Sequence, residues 1–479
     1  MVWLAHFAHK VRKMDEREAI RTLLQMGQLP TAEKIQQVIS SGFGTPGSGY
    51  EPVVQVEVAK PRSSADFSIE VLQHFEHTPR KMGVSDFTTY FRNRYAFLKS
   101  ILINRAETED AVSISKLNSA ESGTVIAMIS DIKKLPTGTL KMTIEDLTGQ
   151  TSAIVSVKKE ELLKKIPFLA MDEVLAFKGK PGKNIFFVDD IIWPEIPQKT
   201  HVPCPDDVNV AFCSDLHVGS KMFLPKEFER FVSWLRGEAG NAESQAVAAK
   251  TKYVVVLGDV VDGVGVYPEQ EKELTITDIY KQYDEAAKLL QQIPGDKQIL
   301  IIPGNHDALR LCEPQPPLYK DVAAPLYEIP NVTMLSNPSY IRLHKMDNYA
   351  GAELLLYHGY SFDYFVDVVE ALRTAGGYDA ADKLWEFLLK RRHLAPSFGS
   401  TLALPMANDP LMIRQIPDIA ASGHIHKAKL GSYRGVCTIS GSCFQDTTVF
   451  QQRVGHNPQP GLVPIVNLKT WTSGMLQFR

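Results

Sequence analysis

Histidine and carboxylate side chains recur in five short clusters along the second half of the chain. The clusters are Asp215-Leu216-His217, Gly258-Asp259, Gly304-Asn305-His306-Asp307, His358-Gly359 and Gly423-His424-Ile425-His426. In the first and last clusters the paired side chains are two residues apart, a spacing that puts both on one side of an extended segment. A helical metal motif would require a spacing of four residues instead. The pattern therefore predicts a polar site built from the ends of strands.

The residue types in these clusters point to metal binding. The candidate ligands are Asp215, His217, Asp259, Asn305, His358, His424 and His426. Mixed oxygen and imidazole ligands suit Mn²⁺, Fe or Zn²⁺ better than Mg²⁺ or Ca²⁺ alone. Seven ligands are too many for one open catalytic ion, but they fit two divalent ions if Asp259 bridges them. Two ions about 3.5–4 Å apart can bind two oxygens of a phosphoryl group and activate water at neutral pH.

His306 is left over from this ligand set and lies next to the candidate ligand Asn305. It is placed to donate a proton to a leaving oxygen, which makes it the candidate catalytic residue. A single Asp-x-His pair is a common and weak signal. The ordered set of five clusters, each closing an apolar run, is much more specific and favours a catalytic site over scattered structural histidines.

Other residues of the motifs are interpreted as supporting ones. Asp262 and Asp307 are expected to orient ligands or stabilise turns. Tyr360, Ser361 and Phe362 follow the His358-Gly359 pair. For these three, packing at the end of a strand is favoured, with substrate contact as the alternative.

The elements that must position the site have an α/β pattern over residues 207–479. Six apolar runs alternate with helical stretches such as KEFERFVSWL and TDIYKQYDEAAKLLQQI. The runs are VNVAFCS, YVVVLG, QILIIPG, NVTMLS, ELLLYHG and DIAASG. Buried strands separated by helices imply a layered sheet that is covered on both faces. The candidate site residues come just past the carboxyl ends of these strands, where open α/β sheets place their sites.

Residues 121–200 change to short β-type runs. Five runs, TVIAMISDI, TLKMTIEDL, SAIVSV, EVLAFKG and NIFFVDDII, are separated by turn sequences, with a charged helical piece, KKEELLKK, after the third. This order predicts an OB-fold barrel. The local charge over residues 80–199 is only +3. The barrel is therefore a candidate for nucleic-acid binding or for a protein-binding platform, and composition favours the platform.

The chain before the barrel divides into three predicted parts. Residues 1–41 have helical periodicity and are expected to form a small helical module, either a docking element or a disordered appendage. Residues 42–86 are expected to be a flexible linker. Residues 87–120 contain a helical segment in which aromatic residues and arginines alternate, so that it could stack bases and neutralise phosphates. An amphipathic helix that packs on the next domain and exposes a basic face is the favoured interpretation.

Composition excludes several classes of protein. With 479 residues and a formal charge of −3, the chain has no overall basic field to attract nucleic acid. No apolar run approaches the ~18 residues of a membrane span, so no membrane partner is expected. The five cysteines include no CxxC pair and are expected to be reduced, as in an intracellular protein.

The ordered clusters resemble those of the calcineurin-like metallophosphoesterase superfamily. The resemblance implies a two-sheet α/β sandwich flanked by helices and preceded by the barrel. It also implies that His306 is the catalytic histidine and that two ions are bound. The implied ligands are Asp215, His217, Asp259 and His426 for one ion, and Asp259, Asn305, His358 and His424 for the other.

A barrel followed by this domain is the layout of the small subunits of replicative DNA polymerases. The segments GDVVDGVGVYP, EPQPP, YFRNRYAFLKSIL and SGHIHKAKLGSYRG are similar to those of archaeal family-D small subunits. The resemblance implies a manganese-dependent 3′–5′ proofreading exonuclease that acts on DNA 3′ ends. Its implied partner is a large catalytic polymerase subunit, in a heterodimer or heterotetramer that contacts a sliding clamp. We expect a cytoplasmic, nucleoid-associated location. The alternative is a non-catalytic scaffold subunit of the polymerase.

Overall fold

The computed structural model of the chain describes residues 68–75, 81–119, 122–155, 159–453 and 457–479. The strands are β1 (Ile69–Gln73), β2 (Ala111–Val112), β3 (Gly123–Lys134), β4 (Leu140–Asp146), β5 (Gly149–Val155), β6 (Val174–Gly182), β7 (Ile185–Ile192), β8 (Asn209–Cys213), β9 (Thr251–Leu257), β10 (Gln298–Ile302), β11 (Val332–Met334), β12 (Ser339–Leu343), β13 (Ala352–Tyr357), β14 (Ile419–Ser422), β15 (Lys429–Tyr433), β16 (Val436–Ser440), β17 (Leu462–Asn467) and β18 (Ser473–Gln477). The helices are α1 (Val84–Ile103), α2 (Glu160–Leu163), α3 (Pro225–Leu235), α4 (Ala242–Lys250), α5 (Ile279–Leu290), α6 (Ala324–Tyr327), α7 (Phe362–Val368), α8 (Glu370–Thr374), α9 (Ala381–Arg391) and α10 (Val449–Arg453). Within these ranges no helix combines the length and apolar character needed to cross a bilayer.

Two six-stranded mixed sheets form the body of the second half of the chain. One has the strand order β11-β10-β9-β8-β17-β18 and the other β1-β12-β13-β14-β16-β15. Apolar side chains of β8, β9 and β10 face those of β13, β14 and β16 in a shared core, in which Phe212 and Leu354 are fully buried. Helices α3 and α5 cover the outer face of the first sheet, and α7 and α9 cover that of the second. The predicted helix-flanked sandwich is confirmed.

All six predicted strands of the sandwich form, but several strands were not predicted. Strand β12 and the hairpins β15–β16 and β17–β18 extend the sheets. Strands β12 and β17 join them by antiparallel pairing with β13 and β8, whereas β16 pairs in parallel with β14. In β15, KLGSY, side chains are exposed or only partly buried, so the segment lacks the apolar run that marks a buried strand. The sequence signal was therefore strongest for the central parallel strands.

A closed barrel precedes the sandwich, as predicted. Its strands follow the order β3-β4-β5-β7-β6, and β6 pairs with β3 to close it. The short helix α2 lies between the third and fourth barrel strands. Side chains such as Val125 and Phe177 fill the interior and are fully buried. This is the strand order expected for an OB fold.

Strand β1 contradicts one expectation. Residues 69–73 fall within the predicted flexible linker 42–86, yet they pair antiparallel with β12 and form the edge of the second sheet. Arg342 of β12 donates to Glu70 at 2.7 Å and to Glu353 at 2.7 Å, which fixes this edge. The linker prediction was wrong for this segment because the short run IEVLQ carried too little signal beside its glycine- and serine-rich neighbours. The helical module predicted over 1–41 lies outside the described residues.

Helix α1 joins the barrel to the sandwich. Three of its aromatic residues, Tyr90, Phe91 and Tyr95, are buried, and Tyr95 Oη donates to the barrel carbonyl of Ile126 at 2.9 Å. Arg94 is also buried, whereas the arginines of this segment were expected on an exposed basic face. Its guanidinium donates to Asp409 Oδ2 at 2.8 Å and to the Pro396 carbonyl at 2.8 Å, both in the sandwich. The packed-helix interpretation therefore fits the structure, with Arg94 as an internal ionic contact.

Removing the Arg94 side chain is expected to destabilise the whole chain. In Arg94→Ala the Asp409 carboxylate would remain buried without this partner, which costs about 3–5 kcal/mol. Urea unfolding followed by tryptophan fluorescence measures the change. Arg92→Ala, on the exposed side of the same helix, is the matched control and should change the unfolding free energy by less than about 0.5 kcal/mol. Equal effects of the two variants would contradict a buried ionic contact.

Candidate metal centre

Five strands of the two sheets end at one common region. In the first sheet β8, β9 and β10 run parallel, and their carboxyl ends lead into Asp215, Asp259 and Asn305. In the second sheet β13 and β14 run parallel and lead into His358 and His424. Because the two sheets pack face to face, these ends meet above the shared core. The sandwich thus brings distant segments of the chain to one site.

One group of candidate ligands surrounds the end of β8. His217 Nε2 lies 3.1 Å from His426 Nε2, and His426 Nε2 lies 3.3 Å from Asp215 Oδ1. His217 Nε2 is also 3.7 Å from Asp259 Oδ2. The side chains of all four residues are almost completely buried.

A second group lies on the other side of Asp259. His358 Nε2 is 3.4 Å from Asp259 Oδ2 and 2.9 Å from Asn305 Oδ1. A ligand atom of His424 lies within 4.8 Å of those of Asp259 and His358. Asp259 belongs to both groups, as the sequence analysis anticipated for a bridging carboxylate. All seven candidate ligands are therefore brought together.

Several of these residues adopt a left-handed backbone conformation. The φ angles are 51° at Asp215, 53° at His217, 50° at Asp259, 72° at His424 and 54° at His426. This region costs non-glycine residues free energy and is sparsely populated. The strain is concentrated in the two to four residues that follow the ends of β8, β9 and β14.

Two glycines allow the strand ends to approach closely. A Cβ at Gly258, whose φ is 92°, would lie 2.5 Å from His358 Nδ1. A Cβ at Gly304 would collide with the Asp259 carboxylate. These positions must lack a side chain for the two ligand groups to share Asp259.

The charges at the site favour a cation. Burial alone would raise the pKa of Asp259, but attraction to the surrounding histidines, His358 foremost, holds it well below its ordinary value. Burial alone would lower the pKa of His358, yet attraction to Asp259 raises it to about 10. Asp215 Oδ1 is buried and accepts no hydrogen bond in the described structure. The donor set combines imidazoles with buried carboxylates, which require a positive charge nearby. Such a set fits divalent metal ions.

His306 lies beside the first group. Its backbone N–H donates to Asp259 Oδ1 at 2.7 Å, and its ring Nδ1 donates to the Asp262 carbonyl at 2.9 Å. The ring centroid is 4.6 Å from that of His217. Burial is the main cause that lowers the pKa of His306. With Nδ1 occupied, Nε2 is the ring nitrogen that can exchange a proton with a bound substrate.

Polar side chains behind the ligands orient them. Asp262 Oδ1 accepts from His217 Nδ1 at 2.9 Å and from Gln445 Nε2 at 2.9 Å, which supports the predicted orienting role of Asp262. Gln451 Nε2 donates to Gln445 Oε1 at 3.1 Å and lies 3.1 Å from His426 Nδ1. The two glutamines thus link Asp262 to His426. Neither glutamine was predicted from the sequence, because both follow the last motif without a recognisable spacing.

The second group has its own supporting residues. His424 Nε2 donates to Asp363 Oδ2 at 2.9 Å. The backbone N–H of His358 donates to Asn337 Oδ1 at 2.8 Å, and Asn337 donates to Gln315 Oε1 at 2.7 Å. Gln315 belongs to the EPQPP segment, so this motif supports His358 through Asn337. Sequence reasoning noted the segment but assigned it no role.

The remaining motif residues have mainly structural positions. Asp307 is buried and accepts from the N–H groups of Gly304 at 2.9 Å and Val260 at 3.3 Å, as expected for a turn stabiliser. Ser361 and Phe362 are fully buried, whereas Tyr360 is only partly buried. The expectation of packing therefore fits the first two but not Tyr360.

Comparison with known proteins is consistent with this geometry. A family model described as calcineurin-like phosphoesterase matches residues 208–428, which include all eight predicted site residues. A DNA polymerase II small subunit from Methanothermobacter thermautotrophicus is 37% identical over 405 residues, covering 84% of this chain and 82% of its own. One from Methanocaldococcus jannaschii is 38% identical over 411 residues, covering 83% and 67%. A solved structure described as a novel archaeal phosphodiesterase aligns with 56% of this chain and 99% of its own, at 12% identity and a TM-score of 0.24.

Asp262→Ala is expected to weaken metal binding without removing a ligand. Loss of a carboxylate that orients a metal-binding histidine costs about 10- to 100-fold in metal affinity. Isothermal titration calorimetry of the metal-free chain with Mn²⁺ measures the change in metal affinity. Asp284→Ala removes an exposed carboxylate from α5 and serves as the control. Unchanged affinity in Asp262→Ala would show that Asp262 does not orient His217.

Proposed function

Because this chain belongs to the family of DNA polymerase II small subunits, we propose that it is the proofreading subunit of an archaeal replicative polymerase. It hydrolyses phosphodiesters at DNA 3′ ends. The observation that carries the proposal is the convergence of seven metal-type ligands and His306 at one buried site. A subunit that served only as a scaffold would not need carboxylates buried in a strained backbone.

We propose that the two ligand groups hold two divalent ions, with Mn²⁺ as the expected metal and Fe or Zn²⁺ as alternatives. The first ion is assigned to Asp215, His217, Asp259 and His426, and the second to Asp259, Asn305, His358 and His424. When bound, such ions hold the phosphoryl oxygens of the substrate and activate water. Asp259, shared by both groups, sets their separation.

His306 is assigned the role of general acid. Its backbone contact with Asp259 fixes it beside the ligands, and its Nδ1 contact with the Asp262 carbonyl fixes the orientation of the ring. Nε2 then donates a proton to the departing 3′ oxygen of the shortened strand. The carbonyl of Asp262 and the side chain of the same residue thus orient both His306 and His217.

The proposed partner is a large polymerase subunit that delivers DNA to the site. The barrel region carries a weak net charge, and its exposed surface suits protein contact better than autonomous DNA binding. We propose residues 121–200 and 207–479 as the two main domains, with β1 added to the second. Assembly as a heterodimer or heterotetramer, and contact with a sliding clamp through the complex, complete the proposal.

His306→Ala is expected to lower the rate of 3′-end degradation by about 10²–10⁴-fold, because it removes the proton donor and leaves the ligands. A time course on a 5′-labelled mismatched primer with Mn²⁺ measures both the rate and the polarity of cleavage. His201→Ala, outside the site, is the control and should degrade the primer as the wild type does. Undiminished degradation by His306→Ala, with contaminating nuclease excluded, would refute the assignment.

The shared position of Asp259 makes a second prediction. Wild-type protein loaded with Mn²⁺ should retain two ions per chain, and Asp259→Ala should lose both because each ion loses a ligand. Asp215→Ala should lose one ion. Elemental analysis after gel filtration gives the stoichiometry, with Asp284→Ala as the control. Fewer than one ion on the wild type, together with no hydrolysis, would favour a non-catalytic scaffold subunit.

A further inference from the structure

Tyr360 differs from its neighbours in the segment that follows His358. Ser361 and Phe362 are fully buried, but the Tyr360 ring stays partly exposed. It makes a T-shaped contact with the His424 ring, with centroids 5.6 Å apart and planes at 88°. A partly exposed aromatic ring beside a site histidine is available to contact a bound molecule.

The position of this ring is fixed by its buried neighbours. Ser361 Oγ donates to the Leu394 carbonyl at 2.7 Å, and the Ser361 N–H donates to Tyr357 Oη at 3.2 Å. Within the described part of the chain the Tyr360 hydroxyl has no hydrogen-bond partner. The ring is therefore held in place by the backbone and by His424, and the hydroxyl is not needed to anchor it.

The second partly buried tyrosine of the site lies beside His306. The Tyr267 ring centroid is 6.3 Å from that of His306, and its hydroxyl donates to Glu273 at 3.2 Å. His306 lies beside the first ligand group and His424 belongs to the second, and the two groups share Asp259. One tyrosine therefore lies next to His306 and the other next to His424.

We propose that Tyr360 is a positioning residue that stacks against the base of the 3′-terminal nucleotide. The inference rests on the proposed exonuclease function and on the role assigned there to His306. His306 protonates the oxygen that stays with the shortened strand, so that strand lies on the His306 side. The nucleotide that is released lies toward His424 and Tyr360.

Stacking on Tyr360 requires a base with a free face. A terminal base that is paired and stacked in a duplex does not offer one, whereas an unpaired or mismatched base does. The preferred substrate is therefore a frayed or single-stranded 3′ end. Because stacking on an aromatic side chain is tolerant of sequence, the four bases should be accepted about equally.

The test compares single-stranded oligonucleotides that end in a normal or an abasic 3′ nucleotide. The full-length wild-type chain with Mn²⁺ should remove the normal nucleotide about 10-fold faster, from a lower KM. In Tyr360→Ala this ratio should fall toward one, and Tyr360→Phe should keep it. Tyr360→Leu, which keeps apolar bulk without a ring, should behave like Tyr360→Ala.

A binding measurement without hydrolysis gives a second readout. In a His306→Ala background with Mn²⁺, where hydrolysis is slow, an oligonucleotide with 2-aminopurine at its 3′ end should lose fluorescence on binding. The loss should be kept when Tyr360→Phe is added and be much smaller when Tyr360→Ala is added. A wild-type ratio and wild-type quenching in Tyr360→Ala would overturn the inference and leave the nuclease function intact. A wild-type chain that degrades neither oligonucleotide would instead overturn the proposed function and the inference with it.

Discussion

The packing of two carboxylates and several imidazoles in a buried space is the constraint on which the rest of this structure depends. Asp215 and Asp259 are almost completely removed from water, and their charge must be balanced within the site. Histidines drawn from both sheets surround this charge, and attraction to Asp259 outweighs burial and raises the pKa of His358 to about 10. Neither sheet alone supplies enough ligands. The site can therefore form only when the two sheets pack face to face.

The strained backbone follows from the same constraint. Asp215, Asp259 and His424 must turn inward two residues after their strands end, and the left-handed conformation makes this turn in a short length of chain. The apolar core between the sheets holds these turns in place, with Phe212 and Leu354 fully buried beneath them. Rigid strands thus offset the cost of the turns and give ligand positions that the loops alone could not maintain.

Much of this arrangement could be predicted from the sequence, for physical reasons. Central parallel strands are buried on both faces, so their apolar runs are unmistakable, and Asp215, Asp259 and His358 stand immediately after them. Gln451 could not be predicted, because its contact with His426 depends on how a segment without regular spacing folds back over the site. Arg94 was misplaced because periodicity alone does not show that Asp409, more than 300 residues away, lies opposite it.

Strand β1 has a consequence for the order in which the protein is completed during synthesis. It precedes the barrel in the chain, yet its partner β12 comes much later, since Arg342 follows Glu70 by 272 positions. At about 5–20 residues per second, the ribosome takes roughly 15–50 s to make the partner. During that interval the barrel can fold, but β1 has no partner because β12 has not yet been synthesised. The outer strand of the second sheet is therefore the first segment of the described chain to be synthesised, and its pairing with β12 joins the two ends of a stretch that contains the whole barrel.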